Sequence, residues 1–197
     1  MSADDAPDWL SPLLSALRRA EPRQLSINDP PAQDIADRQA AVLILLAGSR
    51  PDTTEVVLVE RARELRDHPG EISFPGGGWE PSDASPVDTA LREAMEETGV
   101  DAAEIVPLLL LPRLFIRASG FDVTAVFGYW RKPGPLAPTD PAETRRVFSV
   151  ALSELADPDR WRDYTVPGWH GPSTLLDQGA LLWGYTAEVL AFISRNV

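Results

Sequence analysis

The sequence predicts an α/β sandwich around a mixed β-sheet. Three observations predict it. Two apolar runs of strand length, Ala41–Leu46 and Glu55–Glu60, come first, and a capped helix follows at about Ser85–Thr98. Further strand-like runs and a last apolar helix complete the chain. Strands, helix, more strands and a final helix in that order pack helices against the faces of one sheet. At 197 residues the chain can bury a real core as one domain with an added arm. Residues 1–36 read as a helical arm and linker, and residues 37–197 as the domain itself.

Trp9, Leu10, Leu13, Leu14 and Leu17 recur at helical spacing and predict an amphipathic helix over residues 8–20. Ser11-Pro12 suits a cap and first helical position, and the helix reads as one for packing or dimer contact rather than for a membrane surface. Asn28 to Asp34 contains Pro30-Pro31 and reads as a linker. Ala41–Leu46 is continuously apolar, as a central strand is, and Gly48 to Asp52 turns the chain into the second strand at Glu55–Glu60. Arg61 to Pro69 is highly charged and reads as a loop; Ile72–Phe74 is a short strand that stops at Pro75. Ser85 as N-cap, Pro86 at N1 and Asp88 at N3 start the central helix, and Gly99 ends it. Ile105–Leu111, Val123–Trp130 and Arg146–Val150 are strand-like, Ala151–Leu155 is a short helix, and Gln178–Ser194 is the final helix.

Composition excludes several classes of function. The net charge of -12 argues against a nucleic-acid surface, which needs a basic stripe to neutralise phosphates. It leaves anionic small molecules open, because a bound divalent cation inverts the local field. Without cysteine there is no disulfide, no thiolate nucleophile and no zinc–thiolate site. The acidic start, Met1-Ser2-Ala3-Asp4-Asp5, is unlike a secretory signal, and no apolar run reaches membrane-spanning length. A soluble cytoplasmic protein with no membrane partner is expected.

The chemistry concentrates in Glu71 to Val100. At 100° per residue, Glu93, Glu96 and Glu97 share one sector of the central helix, while Val87, Leu91, Ala94 and Thr98 face the opposite way. Like charges at this spacing repel, and a hard divalent cation such as Mg²⁺ or Mn²⁺ would relieve the repulsion. The bland alternative is a solvated acidic face. Gly76, Gly77 and Gly78 read as a glycine turn just upstream that lets backbone approach a ligand closely, and a carbonyl there could complete a metal shell. They lack the Lys-Ser/Thr of a phosphate-cradling P-loop. His68 and His170 have no partner at ligand spacing and read as loop or surface residues.

Arg92-Glu93-Ala94-Met95-Glu96-Glu97-Thr98-Gly99-Val100 resembles the second half of the Nudix box, G-x5-E-x7-R-E-U-x-E-E-x-G-U, where U is aliphatic. In the first half Ala84 stands where that signature has glutamate; the acid is Asp83, one residue further from Arg92. This departure resembles the coenzyme A pyrophosphatase branch. So does the run from Leu58 to Gly77, set against the second signature of that branch, L-L-T-x-R-(S/A)-x3-R-x3-G-x3-F-P-G-G: every position from Arg61 onward fits, while Val59 and Glu60 shift the opening. Ser119-Gly120-Phe121, Pro141-Ala142-Glu143 and Trp183-Gly184-Tyr185-Thr186-Ala187 are also similar to it.

The resemblance implies a Nudix-type fold and metal-dependent hydrolysis of a nucleoside diphosphate linked to another group. By position it makes Glu93 and Glu97 the principal metal ligands, Glu96 a further ligand, and a Gly76 or Gly77 carbonyl a contributor. It makes Arg92 the residue that orients the glutamates. Glu97 is the first choice for general base and Glu143 the loop alternative. Arg61 and Arg66 suit phosphate oxygens, a 3′-phosphate included, or else salt-bridge Glu60, Glu64 or Asp67. Phe74 and Gly76 join them as substrate contacts, with core packing the alternative for Phe74. The implied reaction cleaves coenzyme A or acyl-CoA to adenosine 3′,5′-bisphosphate and 4′-phosphopantetheine or its acyl form. An ADP-ribose or NADH pyrophosphatase and a nucleotide sensor without hydrolysis are the alternatives, and a homodimer is compatible with each.

Overall fold

The computed structural model describes residues 6–28, 38–65, 68–117 and 119–197. Five helices are formed among them: α1 (Ser11–Arg19), α2 (Pro22–Leu25), α3 (Pro86–Thr98), α4 (Leu152–Leu155) and α5 (Gly184–Ser194). The main sheet contains β1 (Gln39–Ala47), β2 (Glu55–Arg61), β3 (Ile72–Ser73), β4 (Gly76–Gly78), β5 (Ile105–Leu110), β6 (Leu114–Ile116), β7 (Phe121–Trp130) and β8 (Thr144–Ala151). Its backbone order is β3-β2-β1-β7-β5, with β4 on β1, β6 on β7 and β8 on β2. β1 and β7 run parallel and their other pairings are antiparallel, so the sheet is mixed as expected.

Alternation along the strands divides two cores. Ile44 and Leu46 of β1 and Val56 and Leu58 of β2 share a core with Leu10 and with Leu13, Leu14 and Leu17 of α1 and Val189, Leu190 and Ile193 of α5. Leu43, Leu45, Val57 and Val126 face α3 through Ala90 and Ala94. The N-terminal helix therefore spends its apolar stripe inside its own chain. Each of its buried leucines contributes about 1.5–3 kcal/mol of transfer free energy. A 3-10 turn at Asp8–Leu10 leads into α1, so Ser11 is a helical residue rather than the cap.

Two further local expectations are corrected, and one sheet is new. Gly76–Gly78 is a strand, not a turn: it pairs with Ala40–Val42 of β1. The final helix starts at Gly184, because Gly179 and Gly184 take positive φ and the residues between them carry a two-residue strand, β11 (Leu181–Leu182). β11 joins β9 (Arg162–Val166) and β10 (Trp169–Leu175) in a second, antiparallel sheet that no apolar run announces, since these strands are half-polar. The linker around Pro30-Pro31 lies outside the described residues.

One topological detail positions the site. β1 pairs with β2 only near Leu46 and Val56; further along, the strands part. β3 then pairs with β2 while β4 pairs with β1, so the segment 72–78 fills the split. The three glycines thus lie on the sheet beside α3, and Gly77 faces Glu93.

Candidate active site

Helix α3 presents its carboxylates to this glycine strand. Ser85 Oγ accepts from Asp88 N at 3.3 Å, capping the helix as expected, and Gly99 closes it in the left-handed region. Glu97 Oε2 accepts from Gly76 N at 2.9 Å. The Glu93 carboxylate lies against Gly77 so closely that a β-carbon there would stand 2.5 Å from Glu93 Cδ. A β-carbon on Gly76 would collide with the carbonyl oxygen of Ala41. Two glycines are thus needed for two different obstacles, a side chain and a backbone.

Arg92 organises the polar side of α3. Its Nε and Nη2 donate to the two Asp83 oxygens at 3.1 and 3.0 Å, and Nη2 also donates to the Gly78 carbonyl at 2.8 Å. Nη1 donates to Glu93 Oε1 at 2.9 Å and Glu96 Oε2 at 3.1 Å. Asp83 accepts in addition from Glu80 N and Thr89 Oγ1, each at 3.0 Å. The Arg92 guanidinium holds the Asp83 carboxyl down to about 2. The displaced acid therefore pairs with Arg92 despite its shifted register.

Electrostatics separate the three glutamates. Burial pushes Glu97 up to about 7, against the pull of the Gly76 N–H, and Glu93, then Glu143, add repulsion. Burial also raises Glu93, opposed by Arg92. Glu96 is more than half exposed, with a side-chain exposure of 58% against 17% for Glu93. Glu93 and Glu97 are thus the desolvated pair, and a carboxylate in that setting is stabilised by a cation.

The loop residues converge on this pair from the strand side. Arg61 ends β2, where Ala62 N donates to the Glu143 carbonyl at 2.8 Å, and Arg61 N donates to the Glu71 carbonyl at 3.0 Å. Arg61 attracts the Glu97 charge, and among the described residues its buried Nε has no hydrogen-bond partner. Glu60, weighed as a partner of Arg61, points to the opposite face by strand alternation and pairs there with Arg145 and Arg146. Phe74 is corrected from substrate contact to core: it is 2% exposed and packs on the α1 and α5 side. Arg66 lies outside the described residues. His68 Nδ1 meets Glu71 Oε2 at 2.8 Å, the loop role expected of it.

Among the described residues no group of three or more His, Cys, Asp or Glu is already gathered around one point as a metal shell. The donor set nonetheless fits a hard divalent cation. Glu93 and Glu97 bring oxygen ligands to a glycine cradle that a β-carbon would fill, and both carboxylates are raised by burial.

A family model described as the NUDIX domain matches residues 37–172. The chain belongs to the Nudix family. A Nudix relative from Photorhabdus laumondii, named Uncharacterized Nudix hydrolase NudL, is 34% identical over 173 residues, covering 85% of this chain and 90% of the relative. Its namesake from Yersinia pestis is 32% identical over 164 residues, covering 82% and 80%. Two solved Nudix structures share the fold. The Nudix hydrolase RenU of M. smegmatis has a TM-score of 0.50 at 22% identity, covering 67% of this chain and 81% of that one. A MutT/nudix family protein from Enterococcus faecalis has a TM-score of 0.53 at 20% identity, covering 84% and 63%. Nudix membership supports a hydrolase that cleaves a phosphoanhydride bond. Among the described residues no helix is long and apolar enough to cross a membrane.

The two halves of the Nudix-like sequence thus meet in space. What sequence reasoning missed is the Glu60–Arg145–Arg146 cluster, whose only signal was the adjacent arginine pair after Glu143.

Proposed function

We propose that the protein is a metal-dependent pyrophosphohydrolase of coenzyme A or acyl-CoA, acting in the cytoplasm. The observation that carries the reading is Arg61. It comes from the upstream signature of the coenzyme A pyrophosphatase branch, it acts on the Glu97 charge, and its buried Nε has no partner among the described residues. A buried guanidinium donor without an acceptor beside desolvated carboxylates suits a diphosphate oxygen.

Glu93 and Glu97 would hold Mg²⁺ or Mn²⁺, with Glu96 and a Gly76 or Gly77 carbonyl as further oxygen donors. When bound, the ion supplies positive charge to the diphosphate and makes water more acidic. Arg61 binds the diphosphate, and Arg92 keeps Glu93 and Glu96 in place from its anchor on Asp83. Water attacks one phosphorus, the bridging P–O bond breaks, and the bridging oxygen leaves with the other phosphate. The proton of the attacking water passes to a carboxylate. Glu97, which accepts from Gly76 N and faces Glu93, is the first candidate. Glu143 is the second candidate, since it acts on the Glu97 charge from the turn before β8.

Incubating the purified chain with coenzyme A and Mg²⁺ and separating the products tests the reading. Equal amounts of adenosine 3′,5′-bisphosphate and 4′-phosphopantetheine support it. Release of inorganic phosphate alone, or no cleavage while ADP-ribose is consumed, contradicts it.

A further inference from the structure

A second polar site lies on the other face of the sheet from α3. Glu60 is 3% exposed, yet it stands at the end of β2 beside a cleft of about 620 Å³. Arg63, Arg145 and Arg146 line the cleft with Gly70, Glu71 and Trp183 among others. None of its lining residues belongs to α3.

The local sequence builds this arrangement through a β-bulge. β2 and β8 pair regularly from Glu55 to Glu60; then Glu60 faces Arg146 while Arg61 faces Thr144. Arg145 is the extra residue. A bulge of this kind turns two successive side chains to one face of the sheet. Both guanidiniums accordingly reach Glu60, Arg145 through Nη1 and Arg146 through Nε. Arg146 also lies 4.7 Å from the centroid of the Phe148 ring, which fixes its plane.

One carboxylate does not need two arginines. Each guanidinium spends a single nitrogen on Glu60, and a guanidinium carries five N–H donors. The cleft is lined by three guanidiniums against two carboxylates, Glu60 and Glu71, and Glu71 is engaged by His68. In a chain of net charge -12, a locally cationic cleft with donors already oriented by a buried acid is a selective feature.

We propose that this cleft binds a phosphomonoester dianion through Arg145, Arg146 and Arg63. Two sources offer that chemistry: a free phosphate group, or the ribose 3′-phosphate of a coenzyme A substrate that passes over the end of β2 at Arg61 from the α3 face to this one, which rests on the function proposed above. The carboxylate Glu60 orients the two arginines and does not touch the ligand.

Titration calorimetry on the full chain tests the proposal, with adenosine 3′,5′-bisphosphate, 5′-AMP and inorganic phosphate as probes. The variants are Arg146→Lys, which keeps the charge beside Glu60 but loses the fork, and Arg63→Ala, which leaves Glu60 paired. If the 3′-phosphate is the ligand, the wild type prefers the bisphosphate over 5′-AMP by about tenfold or more. Each variant then narrows that preference, and the kcat/KM ratio of coenzyme A to its 3′-dephospho form falls with it. If free phosphate is the ligand, inorganic phosphate binds the wild type and weakens about tenfold in both variants, with the bisphosphate preference unchanged. Variants that fold normally and alter neither measurement overturn the proposal. A wild type that binds these probes as expected but leaves coenzyme A intact overturns only the proposed reaction.

Discussion

Arg92 and Asp83 form a two-bond pair, Nε to Oδ1 at 3.1 Å and Nη2 to Oδ2 at 3.0 Å, across nine residues of sequence. The pair anchors the arginine that bridges Glu93 and Glu96. A residue that acts through another in this way affects activity without touching substrate. Asp83→Asn keeps the shape but removes the charge that fixes Arg92. We expect kcat to fall about 10–100-fold with a smaller change in KM, the usual scale for partners one step behind a metal site. Steady-state kinetics at saturating Mg²⁺ check this, and an unchanged kcat would remove Arg92 positioning from the mechanism.

Glu97→Gln should separate catalysis from binding. The glutamine can still accept from Gly76 N, so the strand–helix contact survives. Loss of the carboxylate should lower kcat by about 10²–10⁴-fold. Nucleotide binding by calorimetry should remain. A wild type and variant equally inactive on a nucleotide panel, with binding intact in both, would make the protein a sensor.

Gly76 and Gly77 predict two different failures. Alanine at 76 strikes the backbone of β1, which cannot yield, and should cost about 1–3 kcal/mol or more of stability. Alanine at 77 strikes the Glu93 carboxylate, which can rotate away. Gly77→Ala should therefore fold nearly as well as wild type and lose activity. Thermal melts and rates measured together distinguish the two.

The raised Glu97 gives a pH dependence of known sign. With a folded value near 7 against an ordinary 4.5, the folded state keeps a proton that the unfolded chain has lost. Metal-free stability should therefore fall as pH rises from about 4.5 through 7, at up to about 1.4 kcal/mol per pH unit. Mg²⁺ competes with that proton, so its stabilisation of the fold should grow over the same range. Melting temperatures from pH 5 to 8, with and without Mg²⁺, test this; Glu97→Gln should flatten the metal-free slope.

Much of this was legible in the sequence because local chemistry fixed it. The Ser85, Pro86 and Gly99 signals bound α3 as observed, and helical periodicity put Glu93 and Glu97 on one side. The rest depended on long-range pairing. Three consecutive glycines have no strand propensity; Gly76–Gly78 is extended because β1 parts from β2 and needs a partner. Phe74 looked equally suited to ligand or core until the sheet placed it. Arg145 and Arg146 gained their shared direction from a bulge, which no side-chain pattern announces.

The most direct measurement compares kcat/KM for coenzyme A, 3′-dephospho-coenzyme A and ADP-ribose, with Mg²⁺ present and after its removal by a chelator. The proposed function predicts that coenzyme A is hydrolysed fastest and that chelation abolishes all three activities, with Mg²⁺ or Mn²⁺ restoring them. Equal or faster turnover of 3′-dephospho-coenzyme A or ADP-ribose would contradict the coenzyme A assignment, and activity that survives chelation would contradict the carboxylate metal site.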